Sequence, residues 1–454
     1  MKYYKLIIAI CLPLTILLLL NACRKYLDAK PDKKMVVPAS LQDLQALLDD
    51  VATMNLSWPI AGEVAADNYY LTSDTWASLP VATDKENYVW SPDVSNDKDW
   101  SAAFKVVFKA NVVLETLNGI TPSVDRIFTW NEIRGSALFY RAFAFFMVAQ
   151  EFAPVYDPVS ASTDVGIPLR LTADINEVSV RASVEQTYST IIKDLETASQ
   201  LLPTVAAYKT RPSRLAAFAL LSRVHLSMSN YIKAAASADS CINEGAQLLD
   251  YNDVAAASEP FIRFHKEVLF HVCSNYSYCL DPSRGNVDST LVQLYGPGDL
   301  RRQLFLRSNP NRSSSFRGNY NGNNASQLFS GLATDEVYLN LAECHARRGN
   351  VTAALQVLNT FRQKRYTHEY FQPVSAGSAG EALAIVLEER RKQLLFRMIR
   401  WTDLRRLNKD NTTAKTIIRK LNGDMYTLSP HDLRYVLQIP NSVTALVDIP
   451  KNPR

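Results

Sequence analysis

The sequence predicts a mainly α-helical protein: a tetratricopeptide-like helical-repeat scaffold with long irregular loops and a few short strands. Three observations carry that prediction. Apolar residues recur with the 3.6-residue period of a helix along much of the chain. One helix-pair pattern occurs twice: Leu221, His225, Asn230, Ala234 and Ala238 return as Leu341, His345, Asn350, Ala354 and Leu358. Glycine is scarce, 15 in 454 residues, with neither a Walker A pattern nor a complete G-x-G-x-x-G, so folds built on glycine-rich phosphate loops are disfavoured.

Taken in order, Lys2 and Lys5 precede an apolar run from Leu6 to Leu20 broken by Pro13. That run is short for a membrane span, which needs about 20 residues, and reads as an export signal. Leu20-Asn21-Ala22-Cys23 resembles the bacterial lipobox, which makes 1–22 a lipoprotein signal peptide and Cys23 the acylated first residue of the mature chain. Acyl chains, at about 0.8 kcal/mol per buried methylene, anchor such a protein without crossing the bilayer. Residues 23–38 read as a polar tether, and 23–454 as one α-helical domain.

Leu41, Leu44, Leu47 and Leu48 give one face of a short helix, whereas 54–100 loses periodicity and reads as loops rich in Trp and Tyr. From Asp99 the period returns: Trp100, Phe104, Val107, Phe108 and Leu114 line one helix, and Ile133, Ala137, Tyr140, Ala144 and Val148 the next. Ser183 and Gln186 form a capping box ahead of Val184, Tyr188, Ile191, Leu195 and Ala198, and Pro203 marks that helix's end. Helix pairs are thus expected near 99–152, 183–245 and 335–365. Small Ala234 and Ala354 allow close packing of the repeated pair, with Asn230 and Asn350 taking the left-handed turn. Between the copies, 251–332 is a loop-rich insert expected to bind ligand, with a strand at Val268–Val272.

Charge and motif content narrow the function. Lys+Arg 49 against Asp+Glu 45, before two lysines leave with the signal, is a nearly neutral balance that argues against nucleic acid as partner. No H-E-x-x-H, paired Cys-x-x-Cys or G-x-S-x-G occurs, so no catalytic residue, metal site or cofactor is expected. Cys241, Cys273, Cys279 and Cys344 are left in an exported body where disulfides are permitted; Cys273 and Cys279 are the local pairing to test.

Several stretches resemble, in order, the SusD/RagB family of outer-membrane nutrient-uptake lipoproteins. They are Cys23-Arg24-Lys25-Tyr26-Leu27-Asp28, Tyr140-Arg141-Ala142-Phe143, Gly166-Ile167-Pro168-Leu169, Arg211-Pro212-Ser213-Arg214, Asp335-Glu336-Val337-Tyr338-Leu339, Glu389-Arg390-Arg391 running to Arg400-Trp401-Thr402-Asp403-Leu404-Arg405-Arg406, and Tyr435-Val436-Leu437-Gln438-Ile439-Pro440. The last resembles a strand and turn near the family's end. Gln393 and Arg397 replace residues often acidic in the family, and Met398 a common glycine. Arg400, Asp403, Arg405 and Arg406 read as structural, satisfying helix ends and buried ion pairs.

The resemblance implies a SusD-like, lipid-anchored binding protein on the outer-membrane surface. It would capture an oligosaccharide or other small nutrient and deliver it to a SusC-like TonB-dependent transporter. An outer-membrane assembly scaffold holding a protein partner, or a glycoside hydrolase, are the alternatives. Sugar binding needs flat aromatic faces and polar side chains for hydroxyls. Trp58, Asp67, Asn68, Tyr70, Trp76 and Trp90 in the first loop region, with Tyr295, Arg317 and Tyr320 in the insert, are therefore the candidate ligand contacts.

Overall fold

The structure, a computed structural model, describes residues 38–322 and 327–454, of which Leu41–Arg454 form one unit. Ten helices of eight residues or more carry it: α1 Leu41–Leu48, α2 Asp97–Asn118, α3 Ile127–Phe152, α4 Val184–Leu201, α5 Arg214–Ser227, α6 Tyr231–Asn243, α7 Thr334–Arg347, α8 Val351–Gln363, α9 Ala379–Gln393 and α10 Arg400–Leu407. From α2 to α8 each helix packs on the next, α6 meeting α7 directly across the insert, and α9 returns onto α7. Stacked pairs bury a continuous apolar seam, since one pair alone cannot cover its own hydrophobic face.

The periodic faces point inward. Leu41, Leu44 and Leu48 of α1 are buried, and α4 buries Val184, Tyr188, Ile191, Leu195 and Ala198 behind a complete Ser183/Gln186 capping box. On α2 the core face is Trp100, Ala103, Val107 and Ala110; Phe108 is 46% exposed, because it lies a residue past the stripe that α3 covers.

The two copies of the repeat match in their turns, though not at the residues expected. Asn230 and Asn350 have φ of −86° and −88° and are N-caps of α6 and α8, accepting from the Lys233 and Ala353 amides at 3.2 Å. The left-handed residue precedes each: Ser229 at +59° and Gly349 at +78°. In both copies the asparagine amide donates to the carbonyl of the preceding helix's histidine, His225 or His345, at 2.9 Å.

Residues 54–100 are more ordered than their lost period suggests. Short helices Val51–Met54, Ala61–Ala65, Ser73–Ala77 and Ala82–Tyr88 lie around a two-residue strand, Tyr69–Tyr70. They are too short to show a 3.6 period and are fixed by tertiary contacts instead. In the insert, Val268–Phe270 pairs antiparallel with Leu332–Ala333, and Leu306–Ser308 with Ser314–Phe316. Residues 435–440 are not a strand: a 3-10 turn, Leu433–Tyr435, leads to an irregular stretch whose Leu437 amide donates to the Glu151 carbonyl at 2.7 Å. The C-terminal hairpin lies earlier, Ile417–Leu421 with Asp424–Leu428. Cys241, Cys273, Cys279 and Cys344 are all free and buried.

Two apolar clusters matter for the site. One surrounds α3, where Phe139 and Phe143 meet Phe270 at 4.9 and 5.7 Å between ring centroids. The other lies under the loops and gathers Tyr69, Tyr88, Tyr295, Phe305, Tyr320, Phe329 and Phe396.

Candidate functional site

Three segments distant in sequence, 67–90, 274–288 and 306–316, meet at one surface. Tyr70 lies opposite Asn286 in the short ladder of Tyr69–Tyr70 with Asn286–Val287. The Asp84 carboxylate, on Ala82–Tyr88, accepts from the Ser277 hydroxyl at 2.9 Å and from the Tyr278 amide at 2.8 Å. Burial raises the Asp84 carboxyl above its ordinary pKa, and these two donors oppose that rise. The hairpin of the third segment joins through Ser313, whose hydroxyl donates to Asn286 Oδ1 at 2.6 Å.

This frame presents a tyrosine pair. Tyr276 and Tyr278 stand edge to face, 4.8 Å apart at 72°, with Tyr276 38% exposed and Tyr278 half-buried. The Arg284 guanidinium lies over the Tyr278 ring at 5.6 Å. The Tyr276 hydroxyl donates to Asp281 at 3.1 Å, and burial with that carboxylate pushes its pKa to about 12, so it stays a donor at any physiological pH. Tyr70, 38% exposed, and Asn286 continue the surface. Exposed tyrosine rings with polar side chains near them can lie against a sugar's apolar face while bonding its hydroxyls.

Of the residues singled out from the sequence, Tyr70, Trp76 and Arg317 reach the surface. Trp76 is half-buried, its indole donating to the Lys85 carbonyl at 3.2 Å; Arg317, also half-buried, donates to the Gln303 carbonyl. The other six are interior. Trp58 packs edge-on against Phe143 at 4.6 Å, and Trp90, at φ +56°, donates to the Ala65 carbonyl. Asn68 donates to Glu63, and Asp67 takes Arg400 at 2.6 and 3.0 Å and Lys415 at 2.7 Å. The Tyr295 hydroxyl donates to the Lys392 carbonyl, and Tyr320 meets Tyr251, Glu267 and Asp335. All six are buried, so none of them offers a face to a ligand. Tyr276 and Tyr278 are not among the candidates: Tyr278 opens a 3-10 turn, Tyr278–Leu280, behind the extended Ser277, and no sequence period marks the pair.

Beneath the surface runs a network of buried ion pairs. Arg390 and Arg406 share Asp403, Arg406 also forks onto Glu343, and Arg405 donates to the Gln150 and Ala153 carbonyls. Gln393 and Arg397 both serve Asp335, which sits under Tyr320. Met398 has φ +57°, the left-handed region where glycine is favoured.

Glu63 is one of the buried acids with pH consequences. Burial pushes its pKa to about 7 from the ordinary 4.5, opposed by the Asn68 amide and by Arg400. A carboxyl that holds its proton more tightly folded than unfolded lends stability that is complete below about pH 4.5 and is lost as pH rises to 7, roughly 3 kcal/mol in all. Glu63→Gln should therefore match the parent in thermal melts at pH 4.5 and exceed it at pH 8. Equal melting temperatures at both pH values would refute the assignment.

Among the described residues, no group of three or more His, Cys, Asp and Glu side chains is placed to hold a metal, and no helix is long and apolar enough to cross a membrane. Cys23 and the tether to residue 37 lie outside the described residues. A separate cleft of about 370 Å³ is lined by Pro154, Asp164, Arg405, Lys409, Leu433 and Tyr435, but Tyr435 is only 5% exposed and tilted against Trp401 at 4.8 Å.

Comparison with known proteins agrees with this architecture. Residues 25–226 match a family model described as starch-binding associating with outer membrane, and residues 317–447 match the SusD family model. SusD-like protein P2 of Formosa agariphila is 23% identical over 375 residues, 69% of this chain and 72% of its own. In fold, a SusD superfamily protein from Bacteroides thetaiotaomicron superposes with a TM-score of 0.73 at 22% identity, covering 91% of this chain and 100% of that one. Surface glycan-binding protein A from Bacteroides fluxus gives 0.69 at 16% identity, over 92% and 100%.

Proposed function

From the premise that this chain belongs to the SusD/RagB family, we propose that it is a carbohydrate-binding lipoprotein of the outer membrane, acylated at Cys23, which binds its ligand without turnover and passes it to a SusC-like TonB-dependent transporter. The observation that carries the binding reading is the Tyr276/Tyr278 pair beside Tyr70, Arg284 and Asn286, an exposed aromatic surface on a braced frame. Fold alone assigns no ligand, whereas residues of this chemistry at the surface support one. The sugar-binding names carried by its relatives support the same ligand class.

Two measurements test the reading. The mature protein on a mixed glycan and peptide array is expected to retain glycans, with reducing-end assays on the bound glycan staying flat; retention of peptides alone, or turnover, refutes it. In cells, Cys23→Ala should move the protein from the membrane to the soluble fraction and abolish co-purification with the transporter from membranes. A variant still sedimenting with outer membranes after salt washing would remove Cys23 as the anchor.

A further inference from the structure

The insert carries a charge pattern that neutral sugars do not require. Between Asp299 and Asp335 the chain has five arginines and no Asp, Glu or Lys. Arg301 is consumed by buried acids, but Arg302, Arg307 and Arg312 are exposed and Arg317 half-buried. Their hydrogen bonds go to neutral groups: Arg302 to the Tyr295 carbonyl, Arg307 to the Ser315 hydroxyl, Arg317 to the Gln303 carbonyl. Among the described residues none of these four pairs with a carboxylate in an ion pair.

Two of them stand on the hairpin joined to the tyrosine surface. Arg307 lies opposite Ser315 in the ladder, and Arg312 is adjacent to Ser313, which bonds Asn286; Asn286 in turn faces Tyr70. Arg284, over Tyr278, stands two residues before Asn286. Asp281 is the carboxylate beside Arg284, already engaged by the Tyr276 and Ser283 hydroxyls. Arg312 is moreover held at φ +66°, a turn position that favours glycine or asparagine. A long cation kept there against backbone preference points to use of its charge.

We infer that the ligand is an anionic oligosaccharide, its carboxylate or sulfate groups taken by Arg284, Arg307 and Arg312 while its rings lie on the tyrosines. This rests on the carbohydrate reading above and specifies its substrate class. The guanidinium fork matches both groups, offering two parallel N–H donors to two oxygens of one anion. Exposed arginines add attraction that salt screens, so binding to this site is ionic-strength dependent.

Matched polymers decide it: polygalacturonate against its fully methyl-esterified form, and dextran sulfate against dextran, by affinity electrophoresis and calorimetry. At least one charged polymer should bind about tenfold or more tighter than its neutral twin, and weaken about tenfold from about 50 to about 500 mM salt. Which pair responds separates carboxylate from sulfate recognition. Arg307→Gln with Arg312→Gln should lose a similar factor at an unchanged melting temperature, because both side chains are exposed. A neutral glycan that binds equally well, and needs Tyr276 but neither arginine, overturns the anionic class and leaves the carbohydrate reading standing. Failure of every glycan on the array and all four polymers overturns both. Equal affinity for duplex DNA overturns the inference, since the patch would then be a general polyanion surface.

Discussion

Arg301→Ala is expected to lower the unfolding free energy by at least about 3–5 kcal/mol, the usual result of removing one partner from a buried ion pair. Arg301 is 0% exposed and forks onto Asp299 through Nε and Nη2 at 2.8 and 2.7 Å, while the same Nη2 also donates to Glu389 at 2.6 Å. Rings of Tyr295, Phe361 and Tyr366 lie around it at 5.7–5.9 Å. Burial alone would raise the Glu389 carboxyl, but Arg301 and Lys392 outweigh it and hold the pKa at about 2. Without Arg301 Asp299 keeps only Lys392, 3.6 Å away, and Glu389 keeps Lys392 at 2.8 Å and Arg362 at 3.2 Å. Urea titration reads the loss directly. A midpoint change worth less than about 1 kcal/mol would mean that the network relaxes freely and that its geometry does not matter to the fold.

Replacing Tyr276 and Tyr278 together by Ala should abolish measurable glycan binding at a smaller cost in stability than a core truncation, because Tyr278 packs only at the rim of the second cluster. Each ring lost from a stacked contact removes about 1–3 kcal/mol of ligand burial, so the pair is worth about a thirtyfold to about a twenty-thousandfold change in affinity. Calorimetry on the glycan retained by the array, alongside a thermal melt, separates the two effects; retained affinity rejects this surface as the site. Tyr320→Ala gives the contrast. Its ring is 1% exposed, its hydroxyl lies 2.5 Å from that of Tyr251, and Arg397 sits over its face at 4.6 Å. Truncation there strikes the second core cluster and is a stability variant, by about 3–5 kcal/mol, uninformative about ligand.

That contrast also marks how far the sequence could be read. Helical faces are legible because the 3.6 period is a local consequence of backbone geometry: α4 buried the residues its spacing marks, α1 buried Leu41, Leu44 and Leu48 with Leu47 at the edge, and the Ser183/Gln186 box closed as its two residue types require. The aromatic candidates were less legible because burial of a loop residue is decided by partners far along the chain. Trp58 is interior because Phe143 and the Cys273 carbonyl meet it, and Asp67 because Arg400 does. Nothing within a few residues of Trp58 distinguishes it from the exposed Tyr276. The arginine-rich stretch between Asp299 and Asp335 is visible in composition, but that Arg301 alone of its five is fully buried depends on Asp299 and Glu389.

The bracing of the tyrosine surface sets an order on how it forms. Ser277 is fixed by Asp84, 193 residues earlier, and Gln327 by the Leu56 carbonyl, 271 residues earlier. Arg419 then reaches back to the carbonyls of Val64, Ala65, Ala66 and Tyr88, which carry the first loop segment. Closing such distant contacts is slow, because chain entropy is lost before any contact rewards it. The helix pairs from α2 to α6 can therefore condense early, whereas the loop surface must wait for the segment that carries Arg419. A chain truncated before Arg419 is expected to keep its stacked helices and lose the ladder of Tyr70 with Asn286.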